Sequence, residues 1–274
     1  MAIPKIIHQT YRNEQLPPQI QFITERLRKI NSNWDYRFYT DDDILSYLKT
    51  KCSDRALQAY LKIKPEFGAA RADLFRYLVL YNEGGVYIDI KSTCMHPLDY
   101  ILSDDDTFII TQWQNEQGQT NCGAGKYTSL EKLGIPNGEY QQWFIICEKN
   151  SPIMKHVTEK IIDNILNYRA WHFGRHSYGK KGVLFVTGPV AYTRAIFEVQ
   201  NQYPIRFERY DKDIGFVYSA LVSNSHEKIL KNHYSKYKTY IVTQGSFIDF
   251  LSLMYVCFNR ITKEVLKKSG KWRE

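Results

Sequence analysis

Ala70-Arg71-Ala72-Asp73-Leu74-Phe75-Arg76-Tyr77 leads, six residues later, into Gly84-Gly85-Val86-Tyr87-Ile88-Asp89-Ile90-Lys91. Residues 67–81 are rich in Ala and Leu and predict a helix, which Asn82-Glu83-Gly84-Gly85 stops. Asp73 and Arg76 lie three positions apart and share one face of that helix, beside the apolar Leu74, Leu78 and Val79. Residues 86–90 predict a buried strand that ends in a charge. A carboxylate there stands at the carboxyl edge of a parallel sheet, where open α/β sheets bind ligands. Gly84-Gly85 permits a tight turn with positive φ before the strand. From the residues alone, Asp73 and Arg76 read either as a structural ion pair or as a clamp for a sugar hydroxyl and a phosphate. Asp89 reads either as the first residue of a loop or as the holder of a divalent ion that bridges two phosphates.

Outward from this block, strands and helices alternate. Strands are expected at 3–9, 34–39, 108–113, 143–147 and 183–186. Helices are expected at 20–30, from Thr40 as N-cap to 48, at 56–63, 152–166 and 191–197, and from 247 onward. Residues 115–126, rich in Gly, Asn and Gln, predict a mobile loop. The pattern predicts one α/β domain, with a mainly parallel central sheet flanked by helices, over residues 1–245. Residues 246–274 are expected to form an amphipathic, basic C-terminal appendage.

An apolar fraction of 43% supports a real core over 274 residues. Lys and Arg outnumber Asp and Glu by 37 to 29, a net charge of +8. Such a balance favours phosphorylated ligands, nucleic acid or anionic membranes. The basic residues are dispersed and no DNA- or RNA-binding motif is present, which argues against a nucleic-acid partner. The five cysteines have no metal-ligand spacing and read as reduced thiols in a cytoplasmic setting. No signal-peptide run opens the chain, and no apolar window is long enough to span a bilayer. His156, His172 and His176 show no ligand spacing.

The block from 67 to 91 resembles glycosyltransferase family 32, the capsular-polysaccharide and mannosyltransferase-like sequences, and more distantly the glucosylating clostridial toxins. There a helix A-x-x-D-x-x-R-Y precedes G-G-x-Y-x-D-x-D; here the positions are Ala70, Asp73, Arg76, Tyr77, then Gly84, Gly85, Tyr87 and Asp89. Ile3-Pro4-Lys5-Ile6-Ile7-His8-Gln9-Thr10-Tyr11 is similar to the family's opening strand, Thr187-Gly188-Pro189 to a turn on the acceptor side, and Asn232-His233-Tyr234 to a late segment near the diphosphate. The resemblance implies a GT-A-type fold and a hexose-type glycosyltransferase that uses a nucleotide-sugar donor, with retention of configuration. It implies a glycan or lipid-linked glycan acceptor and a divalent cation, Mn2+ or Mg2+. It assigns donor binding to His8, Gln9, Tyr11, Asp73, Arg76, Tyr87 and Asp89, with Tyr11 stacked on the base. It gives catalytic roles to Asp73, Arg76 and Asp89, to which the need for positive charge at a leaving diphosphate adds Lys91, and metal contacts to Asp89 and His233.

One departure matters: the family's D-x-D is Asp89-Ile90-Lys91 in this chain. Three readings stay open. A metal binds through Asp89, His233 and the donor phosphates; or the Lys91 ammonium itself neutralises the diphosphate; or Lys91 faces solvent and another acid serves. A carbohydrate-binding protein that has lost catalysis is the rival on the same fold. On the acceptor side Gln142, Trp143, Gly188 and Pro189 are candidates, although a core Trp and a capping Gln fit the sequence equally. The apolar face of 247–258, with Lys263, Lys267, Lys268, Lys271 and Arg273 after it, reads either as a peripheral membrane contact or as a helix packed on the core.

Overall fold

The strands of the structure, a computed structural model that describes residues 2–119, 121–221 and 237–269, are β1 (Ile6–Thr10), β2 (Asp35–Tyr39), β3 (Gly85–Ile88), β4 (Thr93–Cys94), β5 (Phe108–Gln112), β6 (Phe144–Cys147), β7 (Arg206–Tyr210) and β8 (Phe216–Val217). Six of them form one sheet in the order β2-β1-β3-β6-β5-β7, and β4 pairs with β8 in a separate two-stranded sheet. β1 is parallel to β2 and β3, and β5 is parallel to β7; β6 runs antiparallel to both β3 and β5. Five strands of the sheet therefore share one direction, in line with the mainly parallel expectation, and β6 alone opposes them.

The helices are α1 (Pro18–Ile30), α2 (Asp41–Lys51), α3 (Asp54–Lys62), α4 (Gly68–Glu83), α5 (Leu98–Ile101), α6 (Thr128–Glu131), α7 (Pro152–Leu166), α8 (Gly179–Val186), α9 (Pro189–Val199) and α10 (Ser246–Lys268). Side-chain alternation in the strands splits the core between the two faces of the sheet. Tyr87 and Ile145 join α4, α7 and α9 on one face; Val86, Ile88 and Ile146 join α1 and α5 on the other. In α4 every residue from Asp73 to Leu80 is buried, so the helix is covered on all sides rather than on one stripe. Thr40 caps α2 through a reciprocal bond with Asp43, as its sequence predicts.

Three boundaries differ from the sequence reading. β1 begins at Ile6, because Ile6 N–H donates to the Pro4 carbonyl in a turn. β3 ends at Ile88, leaving Asp89 just beyond the strand, with its N–H on the Trp143 carbonyl at 2.7 Å. Residues 183–186 are not a strand but the last turn of α8. A short apolar run does not separate strand from buried helix by itself. Thr187 and Gly188 N–H groups close that helix on the Val183 carbonyl. Residues 115–119 and 121–126 form turns tied together by Asn115, whose amide donates to the Ala124 and Asn137 carbonyls.

The turn into β3 is where backbone freedom is required. Gly84 and Gly85 have φ of +69° and +97°, and a Cβ on Gly85 would stand 2.4 Å from the Ile6 carbonyl oxygen. Gly85→Ala should therefore cost on the order of 2–4 kcal/mol in urea unfolding, because it adds both backbone strain and a clash with fixed backbone. Gly68→Ala meets nothing within 4 Å in the first turn of α4. It should stay within about 1 kcal/mol of wild type. A loss below about 1 kcal/mol for Gly85→Ala would mean that β1 and β3 are not held this tightly.

Candidate active site

Because five strands share one direction, the carboxyl ends of β1, β2, β3 and β5 deliver their following residues to one edge of the sheet. β6 runs the other way, so its leading residues reach the same edge. The result is a cleft of about 730 Å³ lined by Thr10, Tyr11, Asp41, Asp89, Trp113 and Gln142, among others, with Asp73 and Arg76 entering it from α4. The antiparallel strand thus brings Gln142 and Trp143 beside Asp89.

Arg76 is the hub of this cleft. Its Nη2 lies 3.1 Å from Asp89 Oδ1 and 3.4 Å from Asp73 Oδ1, and its Nη1 donates to the Gln142 carbonyl at 2.6 Å. Its guanidinium lies over the Tyr87 ring, 4.5 Å from the centroid. Asp73 accepts from Gln142 Nε2 at 2.8 Å and from Thr187 Oγ1 at 2.9 Å. The Tyr77 hydroxyl contacts Gln142 Oε1 and the Thr187 carbonyl. Asp73 and Arg76 side chains are almost wholly buried, at 5% and 7% exposure, whereas Asp89 keeps 24%. Burial works against the Arg76 charge, but Tyr87, Asp89 and Asp73 more than offset it and raise its pKa. Burial also pushes the Asp73 carboxyl up to about 6, although Arg76, Thr187 and Gln142 favour its ionised form. The Arg76 Nε–H is buried with no partner among the described residues.

Residues 17–108, which hold α4, β3 and Asp89, match the family described as "Glycosyltransferase sugar-binding region containing DXD motif". Over this region the chain is similar to the DXD-type glycosyltransferases. The chain is 33% identical over 101 residues to a mannosyl phosphorylinositol ceramide synthase of Saccharomyces cerevisiae, covering 37% of this chain and 26% of that protein. It is 34% identical over 169 residues to an uncharacterized glycosyltransferase of Acanthamoeba polyphaga mimivirus, covering 61% and 66%. It spans only 26% to 34% of the length of the four fungal proteins of inositol phosphoceramide mannosylation that head its relatives. Among solved structures, the UDP-bound glycosyltransferase domain of the YGT toxin superposes with a TM-score of 0.50 at 12% identity, over 76% of this chain and 80% of that one. The GT-A-type fold is common to both.

The residues expected at the site divide into those on the cleft and those behind it. Tyr11, Asp73, Arg76, Tyr87, Asp89, Lys91, Gln142, Trp143 and Pro189 line the cleft. His8 and Gln9 do not; they brace it. Gln9 Nε2 donates to the Ile88 and Asp89 carbonyls at 3.3 and 3.4 Å. Gly188 sits under α9 where a Cβ would meet the Leu184 Cα at 2.8 Å, so its part is close packing. His233 lies outside the described residues. Sequence reasoning missed Thr187, Trp113, Tyr218 and Glu139. Thr187 was inside a quoted motif, but its bond to Asp73 spans 114 positions. Lys91 Nζ donates to the Tyr218 hydroxyl at 2.9 Å and lies 4.5 Å from that ring's centroid. No local pattern foretells a partner 127 residues away.

His8 is buried behind the cleft, between β3 and β2. Its Nε2–H donates to the Gly84 carbonyl at 2.9 Å and its Nδ1 lies 3.1 Å from the Tyr39 hydroxyl, so a neutral ring satisfies both. Burial pushes its pKa down to about 4, against the Gly84 bond, which works the other way. Unfolded chain takes up this proton below pH 6.5 and folded chain only near 4. The stabilisation is thus present above pH 6.5 and lost as pH falls through 4. Chemical unfolding at stepped pH should show the advantage of wild type over His8→Gln shrinking by up to roughly 3 kcal/mol across that window. A pH-independent difference would contradict the buried neutral imidazole.

Proposed function

We propose that the chain transfers a hexose-type sugar from a nucleotide-sugar donor to a hydroxyl of a glycan or lipid-linked glycan, with the Asp73–Arg76–Asp89 cluster as the floor of the donor site. The observation that carries this reading is the convergence of those three side chains in one cleft at the carboxyl edge of the sheet. In transfer, the bond from the anomeric carbon to the diphosphate oxygen breaks, the bond to the acceptor oxygen forms, and the acceptor hydroxyl's proton passes to the departing diphosphate. Negative charge grows on the leaving diphosphate, and fixed positive groups in a water-poor cleft stabilise it most. Arg76 supplies a charge that cannot be lost. Asp89, the most exposed acid of the cluster, takes sugar or ribose hydroxyls, and Asp73 holds Gln142 and Arg76 in place beneath it. Tyr11 is the candidate to stack on the base. The mannosyltransferase relatives make a mannosyl donor and an inositol-phosphate-bearing lipid acceptor natural first choices, and retention of configuration is part of the same reading.

A divalent ion, Mn2+ or Mg2+, is what the resemblance implies, and the described residues do not fit one well. Hard cations need several oxygen ligands. Among the described residues no group of three or more His, Cys, Asp or Glu is placed to hold a metal. Asp89 is already paired with Arg76, and the position of the second family acid carries the Lys91 ammonium. We therefore assign the diphosphate-facing charge to Lys91, released from Tyr218. Hydrolysis of a panel of UDP-, GDP- and dTDP-sugars tests the whole reading. One donor should be slowly hydrolysed by wild type, with less than threefold change on adding EDTA. Asp89→Asn should lower that rate by about 10²-fold or more while remaining folded. No hydrolysis of any donor, or near-normal turnover by Asp89→Asn, would refute it.

The same reading sets the enzyme in the cytoplasm at an anionic membrane surface, reached through α10. The inner side of that helix buries Ser252 and Val256, while Phe247 (71% exposed), Phe250, Met254, Phe258 (67%), Ile261 and Val265 form an uncovered stripe at helical spacing. Lys267 and Lys268 close the helix; Lys271 and Arg273 lie outside the described residues. No helix among the described residues is long and apolar enough to cross a membrane. An apolar face with a basic flank binds anionic headgroups without spanning. Full-length protein should float with vesicles containing phosphatidylserine and dissociate as salt is raised, and Phe250→Glu with Phe258→Glu should abolish flotation. Failure of wild type to float would remove the membrane from this account.

A further inference from the structure

The cleft has a second polar centre that the donor cluster does not use. Glu139 precedes β6 and is 7% exposed. Its Oε1 accepts from Trp113 Nε1 at 3.1 Å, and its Oε2 is buried with no partner among the described residues. Burial pushes this carboxyl up to about 7, against the Trp113 bond, which favours its ionised form. The backbone around it is shaped to hold it. A Cβ on Gly125, at φ +70°, would stand 2.7 Å from Glu139 Cγ and 2.9 Å from Trp113 Cδ1. Gly138, at φ +89°, passes equally close to the Gly125 carbonyl. The Glu139 N–H donates to that same carbonyl at 2.9 Å.

Buried polar groups are almost always paired, so a buried carboxyl with one oxygen left over has room for a further hydrogen bond. Here one oxygen is left over, on a side chain that lines the cleft beside Trp113 and Tyr127. Aromatic rings beside a hydrogen-bonding acid are the chemistry that recognises a pyranose: the ring takes the C–H face and the acid takes hydroxyls. The position also suits an incoming sugar. Trp113 meets the Tyr218 ring edge-on at 5.0 Å, and Tyr218 holds Lys91, so the aromatic wall runs from the diphosphate side of the cleft to Glu139.

We infer that Trp113, Tyr127 and Glu139 form an acceptor-sugar subsite, in which the unpartnered oxygen of Glu139 binds a hydroxyl of the sugar that receives the transferred residue. The inference rests on the glycosyltransferase reading, and the experiment keeps the two apart. Saturation-transfer NMR on the full chain would use methyl α-mannopyranoside, methyl α-glucopyranoside and methyl α-galactopyranoside as probes. UDP and GDP would be titrated into the same samples. At least one glycoside should bind wild type. Glu139→Met should weaken it at least fivefold, as should Trp113→Phe, which removes the Nε1 donor and keeps an aromatic ring. Glu139→Gln, whose amide still bonds a hydroxyl, should stay within threefold. Nucleotide affinity should stay within twofold throughout, which also reports that each variant is folded. Glycoside binding that is absent from wild type, or unchanged in both Glu139→Met and Trp113→Phe, overturns the subsite. Absence of nucleotide binding in wild type would instead strike the donor reading, and glycoside binding lost in Glu139→Met would then still support the sugar contact at Glu139.

Discussion

One guanidinium organises this molecule. Arg76 is buried between two carboxylates and a backbone carbonyl, over the face of Tyr87, and these partners come from three parts of the chain: its own helix α4, β3 with the residue after it, and the lead into β6. Bringing that charge out of water is costly unless its geometry and hydrogen bonds are nearly complete. The cost is offset only when α4, β3 and the lead into β6 are all in place, so the cluster specifies their relative positions as well as lining the cleft. A buried ion cluster is weak evidence for stability by itself. Its placement at the carboxyl edge of the sheet, with Asp89 still a quarter exposed, is what turns it into a candidate site.

The sheet's polarity does the rest. Parallel strands deliver Tyr11, Asp89 and Trp113 to one edge, and the antiparallel β6 delivers Glu139, Gln142 and Trp143 there from the opposite direction. The groups proposed for donor and acceptor therefore meet across a single strand, with Gln142 bound to the cluster twice: its side chain bonds Asp73 and its carbonyl bonds Arg76. Behind this edge His8 and Gln9 fasten β1 to the turn before β3 and to the carbonyls after it. These are the residues of the opening motif, and they act on the site through the backbone rather than by touching the cleft.

Local signals in the sequence carry as far as local forces do. The caps, the Gly84-Gly85 stop and the helical spacing of α1, α4 and α7 are all short-range, and each falls within a few residues of its expected place. The Asp73–Arg76 pair is legible because it is an i,i+3 relation. The apolar run at 183–186 misleads because a buried helix turn and a short strand look alike in composition. Thr187 on Asp73, Tyr218 on Lys91 and Trp113 on Glu139 were not legible, since they join positions 26 to 127 residues apart and only the fold sets them together. The exposed stripe of α10 was visible as an apolar pattern, but whether the core covers it is a question of packing that periodicity does not answer.

The account stands on the Arg76 cluster being the floor of the donor site. A crystal structure with the tighter-binding of UDP-glucose and GDP-mannose tests it most directly. It should place donor hydroxyls within about 3 Å of Asp89, the diphosphate within about 3 Å of Lys91 Nζ, and Arg76 still joined to both carboxylates. A nucleotide-sugar bound away from this cleft, with Lys91 still on Tyr218 and Asp89 untouched, would contradict it.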